Sequence, residues 1–324
     1  ERVSGVCAKG YAMRSIAEDR TVSCISIDEA TDWNLTGNAG TTAGTNYLGT
    51  SDDQALEIKV NNERAFRFEP DAESPNLIGG YSGNWITEGV YGATISGGGA
   101  SYYSNSVTDN WGTVGGGSDN QAGDDDIDTA ADCSYATVSG GYNNTASGSS
   151  SVVSGGKYNN ASGSFSAVAG GSDNTASGNF SVVGGGIIND ASGSHSFVGS
   201  GYDNLASGDY STVGGGYHNT ASWYGATVPG GWNNTASGRT SFAAGADTNA
   251  DEDGCFVWGD SSPADYVLTC GYTNRWVARA VGGVYFYTNE DLTTGSYLSV
   301  GGSSWNSVSN RDLKENFTPV DTAL

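Results

Sequence analysis

The side chains equipped for chemistry are mostly acids. Asp124-Asp125-Asp126-Ile127-Asp128 packs four carboxylates into five residues, and Ca²⁺ takes six to eight oxygen ligands of that kind. No Asp-x-Asp-x-Asp-Gly loop accompanies the run. It therefore reads first as an acidic surface loop and second as a calcium site at Asp124, Asp125, Asp126 and Asp128. Asp247, Asp251, Glu252, Asp253 and Asp260 take the same order of readings. Two carboxylates about 5–9 Å apart would serve glycoside cleavage, but nothing in the pattern singles out a pair. Two histidines and one methionine leave little material for histidine catalysis or a His-rich metal site. The expectation is a non-enzyme without a cofactor, structural calcium aside.

Cysteine chemistry is equally sparse. Cys7, Cys24, Cys133, Cys255 and Cys270 form no Cys-x-x-Cys pair, which argues against a zinc knuckle or a thioredoxin-like motif. Cys7/Cys24 and Cys255/Cys270 each enclose a short, turn-rich segment. Disulfides there would imply an oxidising, extracytoplasmic setting; the alternative is five unrelated buried thiols. Cys133 is left over.

Composition narrows the partners. Thirteen Lys and Arg against 36 Asp and Glu give a net charge of -23, which excludes the basic surface that nucleic acid needs. No run approaches the roughly 18 apolar residues of a membrane span, and no basic-then-apolar leader opens the chain. Because the chain begins at Glu1, it reads as a processed or trimmed piece of something longer. Glycine makes up 51 of 324 residues, about twice the ordinary share.

The elements that must position these residues come from a repeat. Ala-Ser-Gly recurs at Ala146, Ala161, Ala176, Ala191, Ala206 and Ala236, with Ala221-Ser222-Trp223 in the remaining slot. Every step is fifteen residues. Asn144, Asn159, Asn174, Asn189, Asn204, Asn219 and Asn234 form a second column, and Val138 through Val228 a third. Such glycine density forbids long helices, Ser-x-Val-x-Gly alternates like a short strand, and Gly-Gly supplies corners with positive φ. One turn of a narrow parallel β-solenoid fits, with coils stacked about 4.8 Å apart and the asparagines forming an amide ladder. Ile78, Ile95 and Val114 continue the Val column upstream, with insertions that solenoids place in loops. Val257 continues it downstream.

Such a rod buries little apolar area per residue. The column before the valines, including Val152, Val182, Phe197 and Phe242, points outward and is largely apolar. That asks for a partner surface, and a closed symmetric assembly provides one. A second set of rings, Tyr142, Tyr158, Tyr202, Tyr217 and Trp232 with Phe165, Phe180 and Tyr210, would either stack on sugars or pack between chains; packing is favoured. Ice binding would want an unbroken threonine row, and Asn160, Asp190 and Leu205 interrupt it.

At these residues the chain resembles the YadA-like heads of trimeric autotransporter adhesins over residues 77–260. Asn249 through Asp260 resembles the coil that closes such heads. The resemblance implies an all-β, left-handed parallel β-roll of fifteen-residue coils, homotrimeric and extracellular, with small β-rich caps. The anchor barrel and long stalk heptads of that family are missing. Ser309-Asn310-Arg311-Asp312-Leu313-Lys314-Glu315-Asn316-Phe317 resembles the start of the intramolecular chaperone of phage tail spikes and endosialidases. That resemblance implies a trimerisation segment that cuts itself off, with Ser309 as nucleophile and Lys314 as its base; Asn310 stands where that family has Asp.

The expected organisation is a Cys-bounded module at 1–30, a β-hairpin lead-in at 31–76, the solenoid at 77–260, a β-rich neck at 261–305, and a chaperone start at 306–324. The expected function is a structural or adhesive extracellular fibre attaching to a surface glycan or host receptor. A phage-like tail fibre binding host glycans is the alternative, and a polysaccharide depolymerase the third reading.

Overall fold

The computed structural model describes residues 7–9, 11–16, 21–26, 37–124, 133–261 and 266–309. They belong to two units, Glu1–Gln54 and Ala55–Leu324. The first contains an antiparallel pair, Tyr11–Ile16 with Val22–Ser26, and a disulfide from Cys7 to Cys24.

The second unit starts with a hairpin, Leu56–Val60 and Glu63–Glu69. Asn61 and Asn62 turn it with φ of 49° and 64°, the paired left-handed residues that match the twist of a two-residue hairpin. Glu63–Glu69 then pairs antiparallel with Asn76–Gly79. From Asn76–Gly79 to Trp276–Arg279 every pairing along the stack is parallel. The result is a β-solenoid of about twelve turns, built on one sheet of twelve strands and one of sixteen.

The pattern of side chains explains the bore. In the sixteen-stranded sheet Val153 lies opposite Val168 and Val168 opposite Val183. In the twelve-stranded sheet Ala146 lies opposite Ala161. These inward residues are fully buried, whereas Val152, one place earlier, is 36% exposed. Valine facing alanine fills a bore too narrow for two large side chains, as close-packed interiors require. Most strands are only two residues long, because a corner follows almost at once. Gly171 shows why the corner is glycine: its φ is +90°, and a Cβ there would lie 2.1 Å from the Gly186 carbonyl oxygen.

The parallel register continues past residue 260. Phe256 pairs with Trp276 and Val257 with Val277. That step is twenty residues and lacks the Asn and Gly-Gly signals, so the sequence gives no hint of it. Arg279 ties this last coil down: its Nε donates to Asp260 Oδ1 at 3.1 Å, and Asp260 Oδ2 accepts the Val281 amide at 2.7 Å. A three-stranded antiparallel sheet follows, Val284–Tyr287, Thr294–Leu298 and Asn306–Ser309. Among the described residues there is no helix, and none long and apolar enough to cross a membrane.

Candidate functional surfaces

The asparagine column lies inside the solenoid and is buried throughout. Each Oδ1 accepts from the next asparagine's backbone N–H and from its Nδ2. For Asn159 on Asn144 these distances are 3.0 and 3.2 Å. Each Nδ2 also reaches a carbonyl of its own corner and the glycine carbonyl of the next, 2.9 and 3.0 Å for Asn159; the own-corner acceptor is a glycine except at Asn204, where it is Ser200. The chain of bonds begins earlier than the repeat, at Asn84, Asn105 and Asn120. Those three are also followed, two residues on, by an inward apolar residue: Ile86, Val107 and Ala122. Irregular spacing hid them. Thr248 closes the ladder by donating its N–H and Oγ1 to Asn234 Oδ1.

The two outer faces differ in chemistry. The outward row of the sixteen-stranded sheet, Val152, Ala167, Val182, Phe197, Thr212, Thr227, Phe242 and Phe256, carries no charge. Phe242 and Phe256 stack at 4.6 Å. The outward row of the twelve-stranded sheet, Thr145, Asn160, Thr175, Asp190, Leu205, Thr220 and Thr235, is largely polar. Asp190 is the acid in this row. Burial raises its carboxyl above the ordinary value, and a hydrogen bond with Ser192 partly opposes that.

The corner aromatics form ladders of their own. Phe165 and Phe180 stack at 5.0 Å, Phe180 and His195 at 4.8 Å, and His195 and Tyr210 at 4.8 Å. All four hold left-handed φ near 58°, a conformation non-glycine residues adopt at a cost. Rings in the middle of such a stack give both faces to their neighbours. Phe180 and His195 therefore offer a ligand only edges, and a sugar needs a face. Tyr202 and Tyr217 stack at 5.4 Å, and Tyr142 meets Tyr158 edge-on at 5.5 Å.

The acidic run is represented by Asp124 alone; Asp125, Asp126 and Asp128 lie outside the described residues. Asp124 sits with Asp109 and Cys133, their donor atoms within 4.8 Å of one another. The Cys133 thiol donates to Asp124 Oδ2 at 3.0 Å, and Asp109 Oδ2 accepts the Asp124 amide at 2.9 Å. A thiol beside two carboxylates is a softer donor set than calcium prefers. Cys255 and Cys270 form a second disulfide. Ser309 ends the last strand, and Lys314 lies outside the described residues.

These features define a parallel β-solenoid with an internal amide ladder and a neutral outer face. No protein-family model matches the chain, and no curated protein is significantly similar to it.

Proposed function

We propose that this chain is the head of a non-enzymatic extracellular fibre that presents its corners to a surface or glycan. In this reading it is a homotrimer of left-handed β-rolls with fifteen-residue coils, and it needs no cofactor. The observation that carries the reading is the uncharged outward row of the sixteen-stranded sheet. Phe197 and Phe256 are each 40% exposed there, on a chain of net charge -23. Acidic copies repel one another over most of their surface, so a neutral apolar strip is where they can pack. The two disulfides support an oxidising, extracytoplasmic location.

Sedimentation velocity at micromolar concentration tests this. A trimer is expected, and Phe197→Asp should dissociate it; a stable wild-type monomer would refute the reading. A tail fibre is the second reading, favoured by the Ser309–Lys314 spacing after the terminal β-sheet. In the full-length chain, equal uncleaved masses for the wild type and Ser309→Ala would exclude self-cleavage.

A further inference from the structure

One of the seven Ala-Ser-x copies departs from the pattern, and the departure opens a site. The other six place glycine third and a left-handed residue two places later, as in Gly208 and Tyr210. Here Trp223 replaces the glycine, and Gly225, with φ +65°, takes the left-handed slot. The aromatic stack is thereby interrupted. Tyr210 meets Tyr224 tilted by 58° instead of in parallel. Trp223 has no ring partner among the described residues and is 57% exposed. Unlike Phe180 and His195, its indole has not given its faces to neighbouring coils.

Beside it is a shallow cleft of about 270 Å³ lined by Ser207, Gly208, Asp209, Ser222, Trp223 and Tyr224. One indole, two hydroxyls and one carboxylate make the complement of a pyranose. The C–H face of the sugar lies on the ring, and its hydroxyls donate to the carboxylate and exchange hydrogen bonds with the serines. Asp209 uses Oδ1 to accept the Ser194 amide at 3.0 Å, which fixes the carboxylate and leaves Oδ2 for a ligand. The cleft is smaller than the roughly 300–1,000 Å³ of sites for drug-sized molecules, so it takes one ring of a longer chain. A lining carboxylate on a chain of charge -23 disfavours uronic and sialic acids.

We propose that the Trp223 cleft is a subsite for one neutral pyranose of a surface polysaccharide. The proposal rests on the fibre reading for where that polysaccharide is met, but not on trimerisation.

The repeat itself supplies mild variants. Trp223→Gly restores Ala-Ser-Gly. Asp209→Asn keeps the inter-coil bond, because Asn179 Oδ1 already accepts the Ser164 amide in the equivalent place. Calorimetric titration would use hexasaccharides of glucose, galactose and mannose, with hexagalacturonate as the acidic arm. Saturable binding of at least one neutral hexasaccharide is expected, weakened about tenfold or more by Trp223→Gly, as loss of an aromatic anchor does. Asp209→Asn should weaken it less, and sedimentation should be unchanged in both. No neutral binding at millimolar concentration, binding indifferent to both substitutions, or preference for the acidic arm would overturn the proposal. A wild-type trimer without sugar binding sinks the site alone. A monomer with Trp223-dependent binding sinks trimerisation alone.

Discussion

Replacing Asn189 with alanine tests the ladder at mid-solenoid. Its Nδ2 donates to Asn174 Oδ1 at 3.1 Å and to the Gly185 and Gly201 carbonyls at 2.9 and 3.0 Å. Its Oδ1 accepts the Asn204 amide at 3.1 Å and Asn204 Nδ2 at 2.9 Å. Gly201 O keeps the Ile187 amide as a second donor, and Asn204 Nδ2 keeps other acceptors, 3.0 Å from the Gly216 carbonyl among them. The Asn204 backbone N–H loses its partner while buried. Stranding one such group costs about 1–3 kcal/mol, and the remaining bonds contribute about 1 kcal/mol each. The expected loss is therefore about 5–7 kcal/mol per chain. Asn179→Ala, an exposed control with one inter-coil bond, should cost under about 1 kcal/mol. Guanidinium unfolding followed by circular dichroism measures the difference. Stacked repeats couple mainly to their neighbours, so hydrogen exchange should also show lost protection concentrated in the adjoining coils. An Asn189→Ala variant within about 1 kcal/mol of wild type would refute the reasoning.

Gly171→Ala forces a Cβ against the Gly186 carbonyl at positive φ and should cost about 3 kcal/mol or more, read as a fall in Tm; unchanged stability would show that the corner yields. Cys255→Ser with Cys270→Ser opens a loop of sequence separation 15 and should cost about 3 kcal/mol, with exchange protection falling first between residues 256 and 279; uniform loss of protection would contradict this. The Asp190 carboxyl is raised by burial, so the folded state holds its proton to higher pH than the unfolded chain does. Its contribution favours folding at low pH and is lost as pH rises from the ordinary aspartate range, about pH 4, through the raised folded value. Asp190→Asn, copying Asn160 in the same row, should remove that slope and raise Tm at neutral pH; parallel pH profiles for the two proteins would count against it.

The solenoid was legible because each coil repeats the same three demands. Val153 must face inward, Asn159 must bond to Asn144, and Gly156 must let the next corner approach. A column with one answer seven times over announces a position with one environment. Asn84, Asn105 and Asn120 meet the same demand; Asn105 and Asn120 stand one repeat apart, but insertions before Asn105 and after Asn120 keep that interval from joining the column. The strand at Trp276 reads as part of a β-rich neck, and its parallel stacking on Phe256 does not show because that step lacks the Asn and Gly-Gly signals. Asp109, Asp124 and Cys133 converge because stacking brings neighbouring coils together, which no local pattern in the chain encodes. Trp223 is visible as a lapse in the Ala-Ser-Gly column. Its significance depends on the ring stack it interrupts, and that stack exists only once the coils are laid on one another.

The hydrogen bonds between coils, in both sheets and in the asparagine ladder, all run along the stacking direction. Tension applied along that direction loads them in series and opens the terminal coil before the next, as a zipper opens, whereas compression presses every bond closer. Resistance to pulling is then decided at the ends. At the C-terminal end the Cys255–Cys270 disulfide makes residues 256–269 a closed covalent loop that carries no tension. A pull transmitted through Gly271 bypasses that loop and arrives at Cys255, beside the buried Val257. The force enters the stack next to a strand already seated in the bore.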